Sequence, residues 1–128
     1  LKRAERRSLP VEWVQGRAEA LPFEDGHFDL LSSIFMFHEL PRRVRREALR
    51  EFYRVLRPGG LLVLQDAAQV DDAGELAFFL ERFPEEFHEP FFSDYLRDPL
   101  EALLTREGFV EVQRSDAFVS KVVVARKP

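Results

Sequence analysis

The sequence predicts an α/β fold, in which one sheet is built from strands connected by crossover helices. Apolar runs typical of buried strands alternate with amphipathic helical patterns, which gives the element order β-β-α-β-α-α-β-β. The last two strands are separated only by a short turn, so we expect them to pair antiparallel. We interpret residues 1–128 as a single domain, or the greater part of one, because a 128-residue length suits one domain.

The composition excludes several classes of protein. With 45% hydrophobic and 33% charged residues, the chain matches neither disordered nor membrane-inserted sequences. Its 19 Lys and Arg against 23 Asp and Glu, a net charge of −4, give no indication of a nucleic-acid partner. The absence of cysteine excludes disulfides, thiolate metal ligands and Cys nucleophiles, and no metal site is predicted. No membrane span or signal peptide is evident, so we expect a cytoplasmic protein without a membrane partner.

Two strands are predicted in the first part of the chain. Val11–Gln15 alternates apolar and polar residues, which predicts a short strand that ends at Gly16. Phe28–Phe37 is almost continuously apolar, a pattern typical of a central parallel strand that is buried on both faces.

A helix is predicted from about Pro41 to Leu56. Its apolar positions recur at helical spacing and comprise Val44, Ala48, Phe52 and Val55. The opposite face carries Arg42, Arg43, Arg45, Arg46 and Arg50. We interpret this basic face as solvated or self-associating, because it is interleaved with Glu and lacks the aromatic residues that stack on nucleic-acid bases. Arg57–Gly60 predicts a tight turn before a strand over Leu61–Leu64.

The second half of the chain predicts two more helices and the closing strand pair. Asp71 or Asp72 is expected to cap a helix whose apolar face is Leu76, Phe79, Leu80 and Phe83. Asp98, Pro99 and Glu101 form a helix-start signature, and Gly108 suits the left-handed end of that helix. The closing strands are predicted over Val110–Arg114 and Val119–Ala125, with a turn around Ser115 and Asp116.

Three stretches of sequence then occur together in a recognisable order. Gly16–Phe23 (GRAEALPF) is followed by Phe28–Leu31 (FDLL), then by Phe37–Pro41 (FHELP), and Glu51–Gly60 (EFYRVLRPGG) ends the predicted helix. Together they resemble the class I S-adenosylmethionine (SAM)-dependent methyltransferases, in the small-molecule branch that includes the quinone-biosynthesis C-methyltransferases. The resemblance covers about residues 11–66 closely and residues 99–126 more loosely.

The resemblance implies a Rossmann-like sheet of strand order 3-2-1-4-5-7-6. It assigns Val11–Gln15 to strand 3, Phe28–Ser33 to strand 4, Leu61–Gln65 to strand 5, and the closing pair to strands 6 and 7. Nothing matches strands 1 and 2 or the glycine-rich loop after strand 1, and the chain begins with Leu1 while its only methionine is Met36. We therefore expect an incomplete sheet, the C-terminal portion of a methyltransferase domain.

This incompleteness has two expected consequences. In the family the glycine-rich loop contacts the methionine part of SAM through backbone N–H groups, so this chain alone is expected to bind SAM weakly or not at all and to be inactive. Phe28–Ser33 would also lose a neighbour and become a long apolar edge, which favours a homodimer formed by strand pairing. The alternative is that strand 3 moves across to cover the edge.

The resemblance also implies where the cofactor would lie. Arg17, Ala18 and Glu19 stand where the family contacts the adenine, and the segment Phe35–His38 lines the methyl donor. Ser33, Ile34 and Phe35 are the other candidate cofactor-binding residues. Arg17 departs from the acidic residue that the family often has, and a guanidinium cannot accept a hydrogen bond from the adenine amino group. Backbone contacts from Ala18 remain open, as does the alternative that this segment is an exposed surface loop.

Two side chains are candidates for catalysis at the carboxyl ends of the central strands, where open α/β sheets place their ligands. His38 could orient a substrate or accept a proton near neutral pH, and the alternative is packing or capping at the helix start. Asp66 could hydrogen-bond or deprotonate a substrate, or be an ordinary turn residue. Methyl transfer can also proceed by positioning alone, without a base.

Aromatic residues are candidates for binding the methyl acceptor. The resemblance places substrate contacts between the fifth strand and the last helix, where phenylalanines are concentrated. The candidate substrate-binding residues are Phe37, Phe78, Phe87, His88 and Phe91. The alternative is that about half of the phenylalanines close the core.

The resulting hypothesis is SAM-dependent methyl transfer to a small, fairly apolar acceptor by the intact protein. The rival hypothesis is a non-catalytic interaction module that keeps the packing of a methyltransferase and has lost its chemistry. A strand followed by a glycine-rich loop upstream of Leu1 would favour the enzyme.

Overall fold

The computed structural model describes residues 10–78, 82 and 90–128. Its sheet contains four strands in the order β1-β2-β4-β3. The strands are β1 (Phe28–Ile34), β2 (Leu56–Ala67), β3 (Val110–Ala117) and β4 (Ser120–Arg126). β1 and β2 are parallel, whereas β4 is antiparallel to both β2 and β3, so the predicted α/β fold and antiparallel closing pair are confirmed.

The structure describes four helices between the strands of this sheet. They are α1 (Arg42–Val55), α2 (Val70–Ala73), α3 (Phe92–Leu96) and α4 (Leu100–Glu107). Short 3₁₀ turns occur at Phe37–Glu39 and Gly74–Leu76. No helix within the described ranges is long and apolar enough to cross a membrane.

The strand predicted over Val11–Gln15 is not formed. This segment has no regular secondary structure, and Val11, Trp13 and Val14 are 46%, 64% and 46% exposed. Alternation of apolar and polar residues supplies strand propensity, but a strand forms only where a neighbour satisfies its backbone N–H and C=O groups. No described strand pairs with this segment.

β1 lies at the edge of the described sheet. It pairs with β2 on one side, and no strand in residues 10–78 or 90–128 pairs with its other side. The expectation of burial on both faces was therefore wrong, because Leu30 is 58% and Ile34 is 64% exposed. The expectation that this strand forms an apolar edge agrees with the structure.

α1 forms as predicted and packs on the sheet through Ala48, Leu49, Phe52 and Val55. The prediction that Arg45 belongs to the exposed basic face was wrong, because its side chain is fully buried. α1 leads directly into β2, which includes the predicted turn at Arg57–Gly60. The pairing of β1 with β2 is irregular at this turn. Phe28 pairs with Leu56 and Leu30 with Leu61, so β2 advances five residues while β1 advances two. A Cβ at Gly60 would lie 2.9 Å from the Arg57 carbonyl oxygen and 3.1 Å from that of Asp29.

Both predicted N-caps in the second half differ from the structure. α2 is capped by Gln69, whose backbone N–H donates to Asp72 Oδ2 at 2.8 Å. The carboxylate of Asp98 does not cap α4 and contacts Arg45 instead, while Leu100 N donates to Gln69 Oε1 at 3.0 Å. Gly108 ends α4 in the left-handed conformation at φ 110°, as predicted.

A buried polar cluster joins β4 to the helices. The Nζ of Lys121 donates to Gln69 Oε1 and Asp72 Oδ2 at 2.8 Å and to Glu101 Oε2 at 2.9 Å. We call these four residues the Lys121 cluster. The ammonium group is almost fully buried, so its pairing with two carboxylates compensates for its desolvation. The closing hairpin turns at Phe118 and Val119, three residues later than predicted.

Candidate active site

The carboxyl ends of β1 and β2 are joined by hydrogen bonds. Phe35 N donates to the carbonyl oxygen of Gln65 at 2.8 Å, which continues the pairing of Ile34 with Gln65. Phe37 N donates to Asp66 Oδ2 at 2.7 Å. The turn after β1 is thus fixed against the last residues of β2, at the sheet edge where α/β proteins bind ligands.

The structure brings His38 and Asp66 into contact. Nδ1 of His38 lies 2.7 Å from Asp66 Oδ1, and the same oxygen accepts from Ala67 N at 2.8 Å. The side chain of Asp66 is 1% exposed and that of His38 is 12% exposed. An ionised carboxylate only accepts hydrogen bonds, so it holds the proton of the imidazole on Nδ1. In the neutral form of this tautomer Nε2 is the acceptor nitrogen, and it lies 3.8 Å from Oε1 of the exposed Glu39.

Aromatic rings surround this imidazole. The ring centroids of Phe92, Tyr95 and Phe35 lie 5.6, 6.3 and 6.4 Å from that of His38. The Tyr95 hydroxyl donates to the carbonyl oxygen of Ala67. Burial, reinforced by the negative charge of Asp66, raises the pKa of Tyr95 well above its usual value, so the phenol stays protonated. The imidazole therefore packs among aromatic rings while its Nδ1 contacts the buried carboxylate of Asp66.

A groove of about 520 Å³ lies beside β1. Its walls are the 14–23 segment and the residues of β1, and it is predominantly apolar. Four of the predicted cofactor residues line it, namely Arg17, Ala18, Ser33 and Ile34. The other two, Glu19 and Phe35, are not among its lining residues. Glu19 instead pairs with Arg17, at 3.2 Å between Oε1 and Nε.

Two side chains of α1 hold the groove segment in place. Glu51 Oε2 accepts from Leu21 N at 2.8 Å, and Arg54 donates to the carbonyl oxygens of Phe23 at 2.7 Å and Leu21 at 3.1 Å. Arg54 Nη2 also bonds Glu51 Oε2 at 2.8 Å, and this hydrogen bond is the main reason that the pKa of Glu51 is lowered. The same hydrogen bond raises the pKa of Arg54. We call Glu51 and Arg54 the loop clamp.

The predicted aromatic residues lie in different environments. Phe35 is 46% exposed and has φ 51°, a left-handed conformation that is uncommon outside glycine. Phe37 is fully buried against Phe52, within the core and away from any surface open to a substrate. Phe91 is 38% exposed at the start of α3. Phe78 is 59% exposed, with the Arg82 guanidinium 5.5 Å from its ring centroid.

Phe87 and His88 lie outside the described residues, as do Phe79, Leu80 and Phe83 of the predicted helix face.

Sequence reasoning missed several residues of this site. Arg45 and Tyr95 lie beside the His38 turn, and the loop clamp supports the groove. A signal for Arg45 was present, because it precedes the buried Ala48, Leu49 and Phe52 by three, four and seven residues and so shares their helix face. The roles of Glu51 and Arg54 depend on backbone atoms some 30 residues away, and no local pattern indicates them.

Comparison with known proteins gives the family. A family model described as a methyltransferase domain matches residues 1–64, half of the chain. The ubiquinone/menaquinone biosynthesis C-methyltransferase UbiE of Ruegeria sp. is 41% identical over 75 residues, which cover 57% of this chain and 29% of that protein. UbiE of Hahella chejuensis is 52% identical over 56 residues, 43% of this chain and 22% of that protein. The chain thus spans about a quarter of the length of these curated relatives.

A solved structure supports the same fold over nearly the whole chain. A SAM-dependent methyltransferase from Thermotoga maritima superposes with a TM-score of 0.70 at 23% identity, covering 99% of this chain and 68% of that one. At this identity the likeness shows the fold alone. Fold and family match agree: the chain belongs to the methyltransferase domain family, among the class I SAM-dependent methyltransferases similar to the quinone C-methyltransferases.

Proposed function

We propose that the protein transfers a methyl group from SAM to a small, fairly apolar acceptor, and that His38 accepts a proton from that acceptor. The observation that carries this proposal is the 2.7 Å contact between His38 Nδ1 and Asp66 Oδ1 at the carboxyl ends of two parallel strands. The carboxylate favours the tautomer with the proton on Nδ1, so Nε2 is the acceptor nitrogen of the neutral ring. An imidazole with one anchored nitrogen and one unprotonated nitrogen is suited to act as a general base near neutral pH.

Asp66 acts through His38 in this proposal. Its side chain is almost fully buried, and its oxygens accept from Phe37 N, Ala67 N and His38. We therefore assign Asp66 as a positioning residue that orients the ring and stabilises the imidazolium formed when the acceptor loses its proton.

The groove beside β1 supports the cofactor assignment. Its volume of about 520 Å³ falls within the range of roughly 300–1,000 Å³ that small-molecule sites occupy. Its apolar walls suit the adenine ring, while the Ser33 hydroxyl and the backbone at Arg17 and Ala18 offer hydrogen-bonding groups. When bound, SAM supplies an electrophilic methyl group on a sulfonium cation. The exposed ring of Phe35 beyond Ile34 offers an aromatic face to such a cation.

The acceptor is proposed to bind over the aromatic residues beside His38. Phe91 directly precedes α3, whose Phe92 and Tyr95 pack on the imidazole, and the exposed Phe78 offers further apolar surface. We retain Phe87 and His88 as proposed contacts, although they lie outside the described residues. The burial of Phe37 favours its assignment to the core.

We infer that β1, β2, β4 and β3 correspond to strands 4, 5, 7 and 6 of the family's sheet. Their neighbour relationships agree with that part of the expected strand order. The described groove contacts the open side of β1, where no described strand completes the wall. We therefore propose that this chain alone binds SAM weakly or not at all and does not turn over an acceptor.

The open edge of β1 favours a second candidate, an interaction module that forms a homodimer. Leu30 and Ile34 are exposed there, and the backbone groups on that side of β1 have no described strand partner. Such an edge is a template for pairing with another strand.

The test combines binding and turnover. Methyl transfer from radiolabelled SAM to a water-soluble hydroquinone would be measured with the native gene product and with His38→Gln. We expect kcat to fall by about 10²- to 10⁴-fold without a change in SAM affinity. The matched control for kcat is His27→Gln, an exposed histidine that does not itself line the groove although its ring contacts Phe23 and Phe28. Unchanged turnover in His38→Gln would contradict the assignment of His38 as the general base. Micromolar binding of SAM to this chain alone, measured by calorimetry, would contradict the proposed weak binding.

A further inference from the structure

Arg45 connects two segments that surround His38. Its Nη1 donates to the carbonyl oxygen of Leu40 at 2.7 Å, directly after the 3₁₀ turn that carries His38. Its Nη2 bonds Asp94 of α3, and Nη2 and Nε lie 3.2 and 3.3 Å from Asp98 Oδ2. The guanidinium carbon also lies 6.0 Å from the ring centroid of Tyr95. One side chain of α1 thus holds both the turn and the helix that meet at the imidazole.

We propose that Arg45 is a positioning residue for the His38–Asp66 pair, through its simultaneous hold on the Leu40 carbonyl and on α3. This inference rests on the proposed function of His38. Phe92 and Tyr95 of α3 pack edge-on against the imidazole, so the position of α3 sets the apolar wall of the site. The Leu40 carbonyl fixes the other end of the turn, two residues after His38. Losing the guanidinium removes the bond to Leu40 and leaves Asp94 and Asp98 only the half-exposed Arg42 of α1, at 3.3 and 3.8 Å.

The choice of arginine supports a geometric role over a purely stabilising one. Burying a cation is costly, and buried ion pairs can often be replaced by apolar residues without loss of stability. A guanidinium, however, presents several donors in a fixed planar fork and can bond a carbonyl and two carboxylates together.

The first measurement follows the His38 ring by NMR, without any need for turnover. Arg45→Lys keeps the charge and loses the fork, and Arg45→Met keeps the approximate length and loses both. In each variant we expect the ring-proton shifts of His38 to move toward those of an exposed histidine, because the ring currents of Phe92 and Tyr95 are lost. Arg46→Met changes an exposed neighbour on the same helix and is expected to leave these shifts unchanged.

The second measurement is the kinetics of the native gene product with SAM and a water-soluble hydroquinone. A misplaced base costs up to about 100-fold, so we expect kcat of both Arg45 variants to fall by about 10- to 100-fold while KM for SAM stays unchanged. A fall in folded fraction with normal kcat per folded molecule, and unchanged His38 shifts, would overturn the proposal.

Asp94→Asn keeps the proposal testable if the Arg45 variants do not fold. Asp94 is 43% exposed, so the substitution removes the charge on α3 without burying a new polar group, and Asp98 still pairs with Arg45. We expect smaller changes in the same direction, and unchanged His38 shifts would overturn the proposal. If His38→Gln retains full turnover while Arg45 variants move the His38 ring, the general base fails and the positioning of the ring stands.

Discussion

His38 Nδ1 and Asp66 Oδ1 lie 2.7 Å apart although the residues are separated by 28 positions in the sequence. The parallel register of β1 and β2, in which Ile34 pairs with Gln65, brings the turn after β1 beside the last residues of β2. The pair therefore depends on strand register as well as on side-chain identity. A one-residue slip of β1 would move the whole His38 turn away from the carboxylate.

Asp66→Asn is expected to change the tautomer of His38. An amide has one acceptor oxygen and cannot accept from Phe37 N, Ala67 N and the imidazole as the two carboxylate oxygens do. We expect nitrogen-15 chemical shifts of His38 to show loss of the Nδ1–H form, and a stability loss of about 1–3 kcal/mol for the unsatisfied buried groups. Asp71→Asn, at an exposed position, is the control. An unchanged tautomer in Asp66→Asn would contradict the assigned hydrogen bond.

The loop clamp is expected to weaken in acid. The hydrogen bond from Arg54 holds the pKa of Glu51 below its ordinary value of 4.5. A lowered folded-state pKa stabilises the protein above pH 4.5, and this contribution is lost as the pH falls through the lowered pKa. Urea unfolding across this range should show Glu51→Gln less stable than the parent by at most about 1 kcal/mol near neutral pH, with the difference vanishing in acid. A difference that persists below the lowered pKa would exclude this titration as its cause.

The two glycines before the core of β2 are expected to respond differently to alanine. At Gly60 a Cβ would meet two backbone carbonyl oxygens at 2.9 and 3.1 Å, whereas at Gly59 nothing lies within 4 Å and only the φ of 82° is strained. Gly59→Ala should cost about 1 kcal/mol, and Gly60→Ala about 2–3 kcal/mol, because backbone must move. Chemical denaturation of both variants tests the order, and equal costs would show that β2 relaxes freely at this point.

Much of the fold follows from local signals, and the departures come from long-range contacts. The apolar run of β1, the helical spacing of α1 and the left-handed Gly108 each act within a few residues, and the strand, the helix and the helix end that they predict are all present. Asp98 was expected to cap α4 because Pro99 and Glu101 follow it, yet it bonds Arg45, 53 residues away. Whether a strand forms at Val11–Gln15 depends on a neighbour that its own residues do not encode.

The same distinction applies to the candidate site. His38 and Asp66 were singled out separately, because each follows an apolar strand, and the parallel register brings them together. Phe35 has a left-handed φ and is half exposed, whereas Phe37, two residues later, is completely buried. Composition alone does not predict which of the two phenylalanines is buried.

Charges on the open edge of β1 are expected to suppress self-association. Leu30→Lys with Ile34→Lys places two charges on the exposed positions of this strand, and lysine on an edge strand opposes pairing. Light scattering should find the parent chain as a dimer and the double variant as a monomer. Phe118→Lys, which adds the same charge at an 80% exposed position of the closing hairpin, should leave the dimer intact. If light scattering finds the parent chain as a monomer, the proposed homodimer is wrong.

Removing the buried ammonium of the Lys121 cluster is expected to destabilise the protein strongly. Lys121→Met removes the buried cation whose Nζ lies within 2.9 Å of Asp72 and Glu101, and leaves both carboxylates only the more exposed guanidinium of Arg114. Breaking a buried ion pair in this way costs about 3–5 kcal/mol. Lys121→Met combined with Asp72→Asn and Glu101→Gln should recover part of that loss in urea unfolding. No recovery would show that the lysine acts through packing alone.

The Lys121 cluster also constrains how this sequence can diverge. Position 121 lies on the final strand, while its carboxylate partners stand 49 and 20 residues earlier in the chain. Loss of Lys121 leaves its two carboxylate partners to Arg114, whose side chain is 39% exposed, so homologues that lose the lysine should also replace at least one of these carboxylates. Correlated replacement at 72, 101 and 121 is the evolutionary signature that this interior salt link predicts.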